Sequence, residues 1–186
     1  MDNDAHGTLL GDDAVRLQRL LPGPIERVWR YLTEPALRRQ WLADGPFPGD
    51  AGEGFELTFR NNSLTRADDP PPARYAGMAE LAHTRGHLRA CSPPHRLVIT
   101  WDEDAEGNGS EVSFELEPDG DEVLLTLTHQ RLPRRSALVS VSSGWHAHLG
   151  VLHARLMDTD PPPFWQTFSR LEQDYEQRIP TPPSEG

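Results

Sequence analysis

The sequence predicts an α+β fold in which an antiparallel sheet is covered on one face by a long C-terminal helix. Three observations predict it. Residues 111–132 (EVSFELEPDGDEVLLTLTHQRL) read as a hairpin of two alternating strands, and SSGWHAHLGVLHARL repeats its apolar residues at helical spacing. Between the first strand and the strand run, two short helical patterns are separated by Pro35.

Residues 14–21 begin the sheet, with Val15 and Leu17 alternating against Arg16 and Gln18. Pro24 suits a first helical position, and Ile25, Val28, Trp29 and Leu32 then share one helical face. Leu37, Trp41 and Leu42 mark the second short helix, and ADGPFPGDAGEG is a loop. Phe55, Leu57 and Phe59 alternate with Glu56, Thr58 and Arg60 in a half-buried strand. Residues 61–86 are turn-rich, with a short helix around Tyr75 to Ala82, and are expected to form a mobile flap. Strands follow at GHLRAC and HRLVITW, the second with Leu97, Ile99 and Trp101 on one face. After the acidic loop DEDAEGNGSE comes the hairpin, where Asp119-Gly120 is expected to supply the positive backbone angles of the turn. The long helix starts near Ser136 with a stripe of Val141, Trp145, Leu149, Leu152 and Leu156. DTDPPP ends it, and a second helix carries Phe164, Phe168, Leu171 and Tyr175.

A chain of 186 residues suits one core. The expected organisation is a single domain over residues 8–179 with flexible tails at 1–7 and 180–186. No run approaches the ~18 apolar residues of a membrane span, and the N-terminus lacks a secretory pattern, so no membrane insertion and a cytoplasmic location are expected. The net charge is -11, and all 18 basic residues are arginine. Without lysine there is no Schiff-base chemistry and no phosphate-loop lysine. The acidic balance opposes nucleic-acid binding. The single cysteine, Cys91, excludes an internal disulfide and is expected to be a buried or inert thiol.

PIERVWRYLTEPALRRQWL, SPPHRLVITW, the 111–132 hairpin and SSGWHAHLGVLHARL occur in the order found in the SRPBCC or START-like superfamily. Over about residues 14–156 the chain resembles bacterial single-domain homologues of the heat-shock-protein-90 ATPase activator. That resemblance implies a helix-grip fold: a curved sheet wrapped around the C-terminal helix, with two short helices after the first strand and a cavity between sheet and helix. Superfamily relatives include lipid-transfer domains, hormone receptors and polyketide cyclases, so fold alone does not select a function. The 61–86 flap and the C-terminal addition depart from the minimal domain and are candidates for a cavity cover or a homodimer contact.

The expected occupant is a small hydrophobic or aromatic molecule. Its candidate contacts are Trp41, Phe59, Ile99, Trp101, Phe114, Leu116, Leu127, His129, Trp145, His148, Leu149 and Leu152. Alternation and helical spacing place these positions inward but do not separate a cavity lining from a filled core. His129 and His148 are the candidates for the polar end of a ligand or for acid–base chemistry. No metal site is expected, because His146, His148 and His153 lack the i, i+4 spacing of helical zinc ligands, and no cofactor motif occurs. Arg134 and Arg135 are expected to be surface charge. The alternatives to ligand binding are a cyclase or hydrolase using the pocket histidines and a chaperone-accessory interaction module.

Overall fold

A computed structural model describes residues 2–65, 68–104 and 106–181. Its strands are β1 (Thr8–Leu9), β2 (Val15–Pro22), β3 (Gly54–Phe59), β4 (Ala82–Ser92), β5 (Arg96–Trp101), β6 (Ser110–Asp119) and β7 (Glu122–Gln130). They form one curved, open antiparallel sheet in the order β1-β2-β7-β6-β5-β4-β3. The helices are α1 (Ile25–Thr33), α2 (Pro35–Arg38), α3 (Ala76–Ala79), α4 (Arg135–Leu156) and α5 (Phe164–Arg178). This is the expected helix-grip arrangement, with α4 held by the sheet and α5 packed against α4.

Side-chain alternation sets the strand faces. β7 buries Val123, Leu125, Leu127 and His129, and β6 buries Val112, Phe114 and Leu116. The register Phe114↔Leu127 and Leu17↔Leu127 puts these on the same face as Leu17 of β2. Arg19 belongs to that buried face too, between Leu17 and Leu21, which the sequence reading did not identify. At the hairpin, Asp119 pairs with Glu122, so the two-residue loop is Gly120-Asp121 and only Gly120 has a positive φ, of 63°. One positive angle at the first loop residue is the type II′ pattern, which corrects the expected placement at Asp119-Gly120.

β4 starts at Ala82, inside the stretch expected to be flap. Its inward residues are Thr84, Gly86 and Leu88, so it lacks an apolar alternation to read. Gly86 is required by contact: a Cβ there would lie 2.2 Å from the Thr100 carbonyl oxygen. Cys91 is exposed near the end of this strand rather than buried, and desolvation raises its thiol pKa, which agrees with the inert alternative.

The described part of the flap is docked on α5 rather than loose. Pro163 precedes α5 and has no side chain able to cap it, so its first N–H groups need outside acceptors. Asp69 supplies them, accepting from Trp165 N at 2.6 Å and Gln166 N at 3.0 Å, while Thr65 Oγ1 accepts from Phe164 N at 3.1 Å. Asn62 Oδ1 accepts the Trp165 indole N–H at 2.9 Å. Further along, Tyr75 donates its hydroxyl to Glu172 at 2.7 Å, and Arg74 pairs with the same carboxylate. Residues 66 and 67 of the flap lie outside the described residues.

Two further expectations meet contrary contacts. Within residues 1–7, Asn3 exchanges hydrogen bonds with the backbone N–H and C=O of Leu20, each at 2.7 Å, and Gly7 N donates to the Tyr175 hydroxyl at 2.7 Å. Arg135 is no mere surface charge: it pairs with Glu176 and donates to the carbonyls of Glu176, Ile179 and Pro180, fastening the C-terminal end of α5. Residues 182–186 of the expected C-terminal tail lie outside the described residues, as does Ala105 of the acidic loop. Among the described residues, no helix is long and apolar enough to cross a membrane.

Because the α5 cap comes from a distant segment, Asp69→Ala is expected to destabilise the fold by about 1–2 kcal/mol and to release the flap from α5. Urea melts and amide exchange at residues 164–166 measure this; wild-type protection at those amides would contradict the capping role.

Candidate functional site

A cavity of about 240 Å³ lies between the concave face of the sheet, α4, the first turns of α5 and the flap. Each element contributes according to its period. β3 and β5 end with Phe59 and Trp101 pointing inward, and His129 points inward one residue before the end of β7. On α4, Ser140, Gly144 and His148 fall at i, i+4 and i+8, with Val141 and Trp145 beside them. α5 presents Phe164, Trp165 and Phe168, and the flap side supplies Asn61, Tyr75, Met78 and Ala82. Leu42 completes the wall, and Met78 is exposed at the lip.

The lining is strongly aromatic. Trp101 stands 5.2 Å from Trp145 and 5.7 Å from Phe59 between ring centroids, and Phe164 is 4.7 Å from His148. Gly144 contributes to the space itself, since an added Cβ would meet nothing within 4 Å.

Of the twelve sequence candidates, the structure brings Phe59, Trp101, His129, Trp145 and His148 to the cavity. Trp41, Ile99, Phe114, Leu116, Leu127, Leu149 and Leu152 pack into the core and are not on its wall. Inward parity is shared by both groups; the difference is position along the element. Residues at the strand ends and on one edge of α4 face the space, whereas those nearer the strand centres join the core, where Phe114 lies 5.7 Å from Trp145 of α4 between ring centroids. Trp41 acts through its backbone, as described next, and its indole N–H donates to the Tyr31 carbonyl at 2.8 Å. The sequence reading named no cavity contact at Gly144 or Ser140, and it offered the α5 segment as a candidate cavity cover without naming its aromatics as contacts. The available signals were small residues four apart on the same helix as Trp145 and His148, and the FW pair at the start of α5.

Hydrogen bonding fixes the state of both cavity histidines. Trp145 Nε1 can only donate, and it does so to His129 Nδ1 at 2.9 Å. The His129 proton therefore sits on Nε2, which donates to Ser110 Oγ at 2.7 Å, and that hydroxyl donates to the Trp101 carbonyl at 3.2 Å. Both ring nitrogens are engaged, and burial lowers the pKa of His129 to about 3. His148 differs. Its Nδ1 lies 2.7 Å from the Trp41 carbonyl oxygen, which can only accept, so Nδ1 carries the proton. Burial lowers its pKa to about 4, outweighing the opposing effect of that hydrogen bond. The neutral ring leaves Nε2 as an acceptor with no partner among the described residues, opening on the cavity.

No Asp, Glu or Arg lines the space among the described residues, and no group of three metal-ligating side chains converges there. The chemistry the lining offers is apolar and aromatic contact plus a few polar groups, chiefly His148 Nε2 and the buried, unpartnered Asn61 Oδ1.

Comparison with known proteins reinforces the fold. Residues 22–157 match the family described as activator of Hsp90 ATPase homolog 1-like protein. A Bordetella parapertussis protein with a solution NMR structure is 46% identical, with 95% of this chain and 92% of that chain covered and a TM-score of 0.80. CalU16 from Micromonospora echinospora is 20% identical, with 94% of each chain covered and a TM-score of 0.65. DynU16, a protein in the dynemicin biosynthetic locus, is 22% identical, with 83% of this chain and 50% of that chain covered and a TM-score of 0.61. At these identities the last two share the fold. No curated protein matches.

The buried imidazoles link stability to pH. His129, His148 and His146 have folded-state pKa values of about 3, 4 and 4, all below the ordinary 6.5, so the unfolded chain takes up protons first as pH falls. Their contribution is present above about pH 6.5 and is lost as pH drops from there toward 3, on the order of several kcal/mol in total. Melting temperature against pH should show the fall, and NMR of the three rings should show them neutral at pH 6. A cavity imidazole titrating near 6.5 in the folded protein would contradict this geometry.

Proposed function

The chain belongs to the activator of Hsp90 ATPase homolog 1-like family of SRPBCC proteins, and from that premise we propose that it binds a small aromatic or hydrophobic molecule carrying one hydrogen-bond donor. The observation that carries this reading is the pairing of an aromatic cavity with unpaired acceptors on its wall residues, His148 Nε2 and Asn61 Oδ1. A ring inserted among Phe59, Trp101, Trp145 and Phe164 gains apolar burial at about 25 cal/mol per Å² before ordering costs. A hydroxyl or N–H on that ring satisfies Nε2, whereas a ligand without one leaves a buried acceptor desolvated.

Charge sets the same limit. An anionic group placed beside Nε2 would meet no cation on the cavity wall, and its desolvation would oppose binding. The enzymatic alternative receives no second titratable partner here: His129 has both nitrogens engaged, the Tyr75 hydroxyl donates to Glu172, and no carboxylate lines the space among the described residues. CalU16 and DynU16 supply the fold to this reading and no ligand.

Two measurements test it. Native mass spectrometry of the purified protein looks for a retained small molecule. Tryptophan fluorescence then compares 2-naphthol with naphthalene, since Trp101, Trp145 and Trp165 all line the cavity. The naphthol is expected to bind about tenfold more tightly, the worth of one hydrogen bond to a buried acceptor. Equal affinity would remove the role of His148, and no binding of either probe would remove the cavity proposal. Gly144→Phe places a ring in the open space and should abolish probe binding. Gly144→Ala should raise stability by up to about 1 kcal/mol, because glycine is unfavourable within a helix and the added methyl meets nothing.

A further inference from the structure

We propose that a second groove, on the far side of Leu42 from the cavity, binds a phosphate-type oxyanion. Arg39, Arg60 and Arg155 line this groove of about 340 Å³, together with Ser63, Asp44 and Leu42. The three arginines come from different places: the residue after α2, the residue after β3 and the last turn of α4. Their convergence is therefore a product of the tertiary fold.

What sets this cluster apart is convergence on one groove, since other arginines, Arg16, Arg134 and Arg178 among them, also have no carboxylate partner among the described residues. Arg74 pairs with Glu172, Arg85 with Glu56, Arg96 with Glu115 and Arg135 with Glu176. In a chain of net charge -11, carboxylates are abundant enough to partner arginines widely. Yet Arg39, Arg60 and Arg155 have no carboxylate partner among the described residues. Arg155 is also positioned, donating to the Leu64 carbonyl at 3.0 Å and the Gln40 carbonyl at 3.4 Å. Asp44 is the single carboxylate on the groove wall; it accepts the Gly45 N–H at 2.8 Å and acts electrostatically on the buried Arg38. Three cations against one anion leave the groove positive.

Guanidinium groups present planar donor forks that match phosphate oxygens, and three of them around one space suit a group with several acceptor oxygens better than a single carboxylate. The groove is distinct from the aromatic cavity. Leu42 is buried between them, and alternation at the end of β3 sends Phe59 into the cavity while Thr58 and Arg60 face the groove.

The test is an amide NMR titration of the full chain with inorganic phosphate, with chloride at matched ionic strength as the reference. Saturable shifts are expected at residues 39, 60, 63 and 64, with the Trp145 indole signal unmoved. Arg39→Gln combined with Arg60→Gln should weaken phosphate binding about tenfold or more at unchanged melting temperature, since both side chains are exposed. A control, Arg16→Gln with Arg178→Gln, removes the same charge from exposed positions outside the groove and should leave phosphate affinity unchanged. Shifts reproduced by chloride would overturn the site. So would wild-type phosphate affinity in the groove variant, or an equal loss in the control, which would trace the effect to net charge.

Discussion

The cavity depends on one buried hydrogen bond, from His148 Nδ1 to the carbonyl of Trp41. It joins the long helix to the turn after the two short helices, and that turn is itself clamped. The Arg38 guanidinium, buried and lying 4.1 Å from the Phe47 ring centroid, donates to the carbonyls of Leu32, Thr33, Ala43 and Gly45. Burial lowers its pKa to about 10, which still leaves it charged at neutral pH. The arginine thus fixes the chain on both sides of Trp41, and the Trp41 carbonyl fixes the imidazole tautomer. Breaking the bond would leave a buried carbonyl and a buried ring nitrogen unpaired, at a cost of about 1–3 kcal/mol for each group. The polarity offered to a ligand is therefore decided outside the cavity.

Much of the architecture was legible because alternation and helical spacing are local signals. The β6–β7 hairpin, the α4 stripe and α1 follow from side-chain period, whereas α2 ends at Arg38, so Trp41 and Leu42, which had marked it, lie in the turn beyond. β4 escaped because its inward face contains Thr84 and Gly86, the latter chosen by contact with another strand. The docked flap escaped for a related reason. Asp69 reads as a loop aspartate in the sequence, and its capping role exists only because α5 lies nearly a hundred residues away in the chain and next to it in space. Arg19 and Arg38 likewise break the polar-outside expectation through tertiary contacts.

The site was partly legible for a physical reason. Parity marks a side chain as inward, but whether the inward space is filled depends on residues from other elements. Val141 and Trp145 would pack against the α5 aromatics if the helix carried bulk between them. Instead Ser140 and Gly144 withdraw from the space, while Trp101 and Phe59 define its opposite wall. Phe114 on β6 and Leu127 on β7, away from the strand ends, have no such gap and are core.

The separation of charge from the cavity follows from these same placements. Arg19 sits on the β2 side of the concave face, with Asp4 and Tyr175 acting on it electrostatically, and Arg38 is enclosed by carbonyls beneath Trp41. Glu172 is held by Tyr75 and Arg74 behind the α5 wall. Each buried charge is thus confined to a scaffold position, and the groove arginines lie beyond Leu42. A neutral aromatic wall in an acidic chain is consequently an arranged property: it requires that every nearby ionised group face away from the space that Gly144 leaves open.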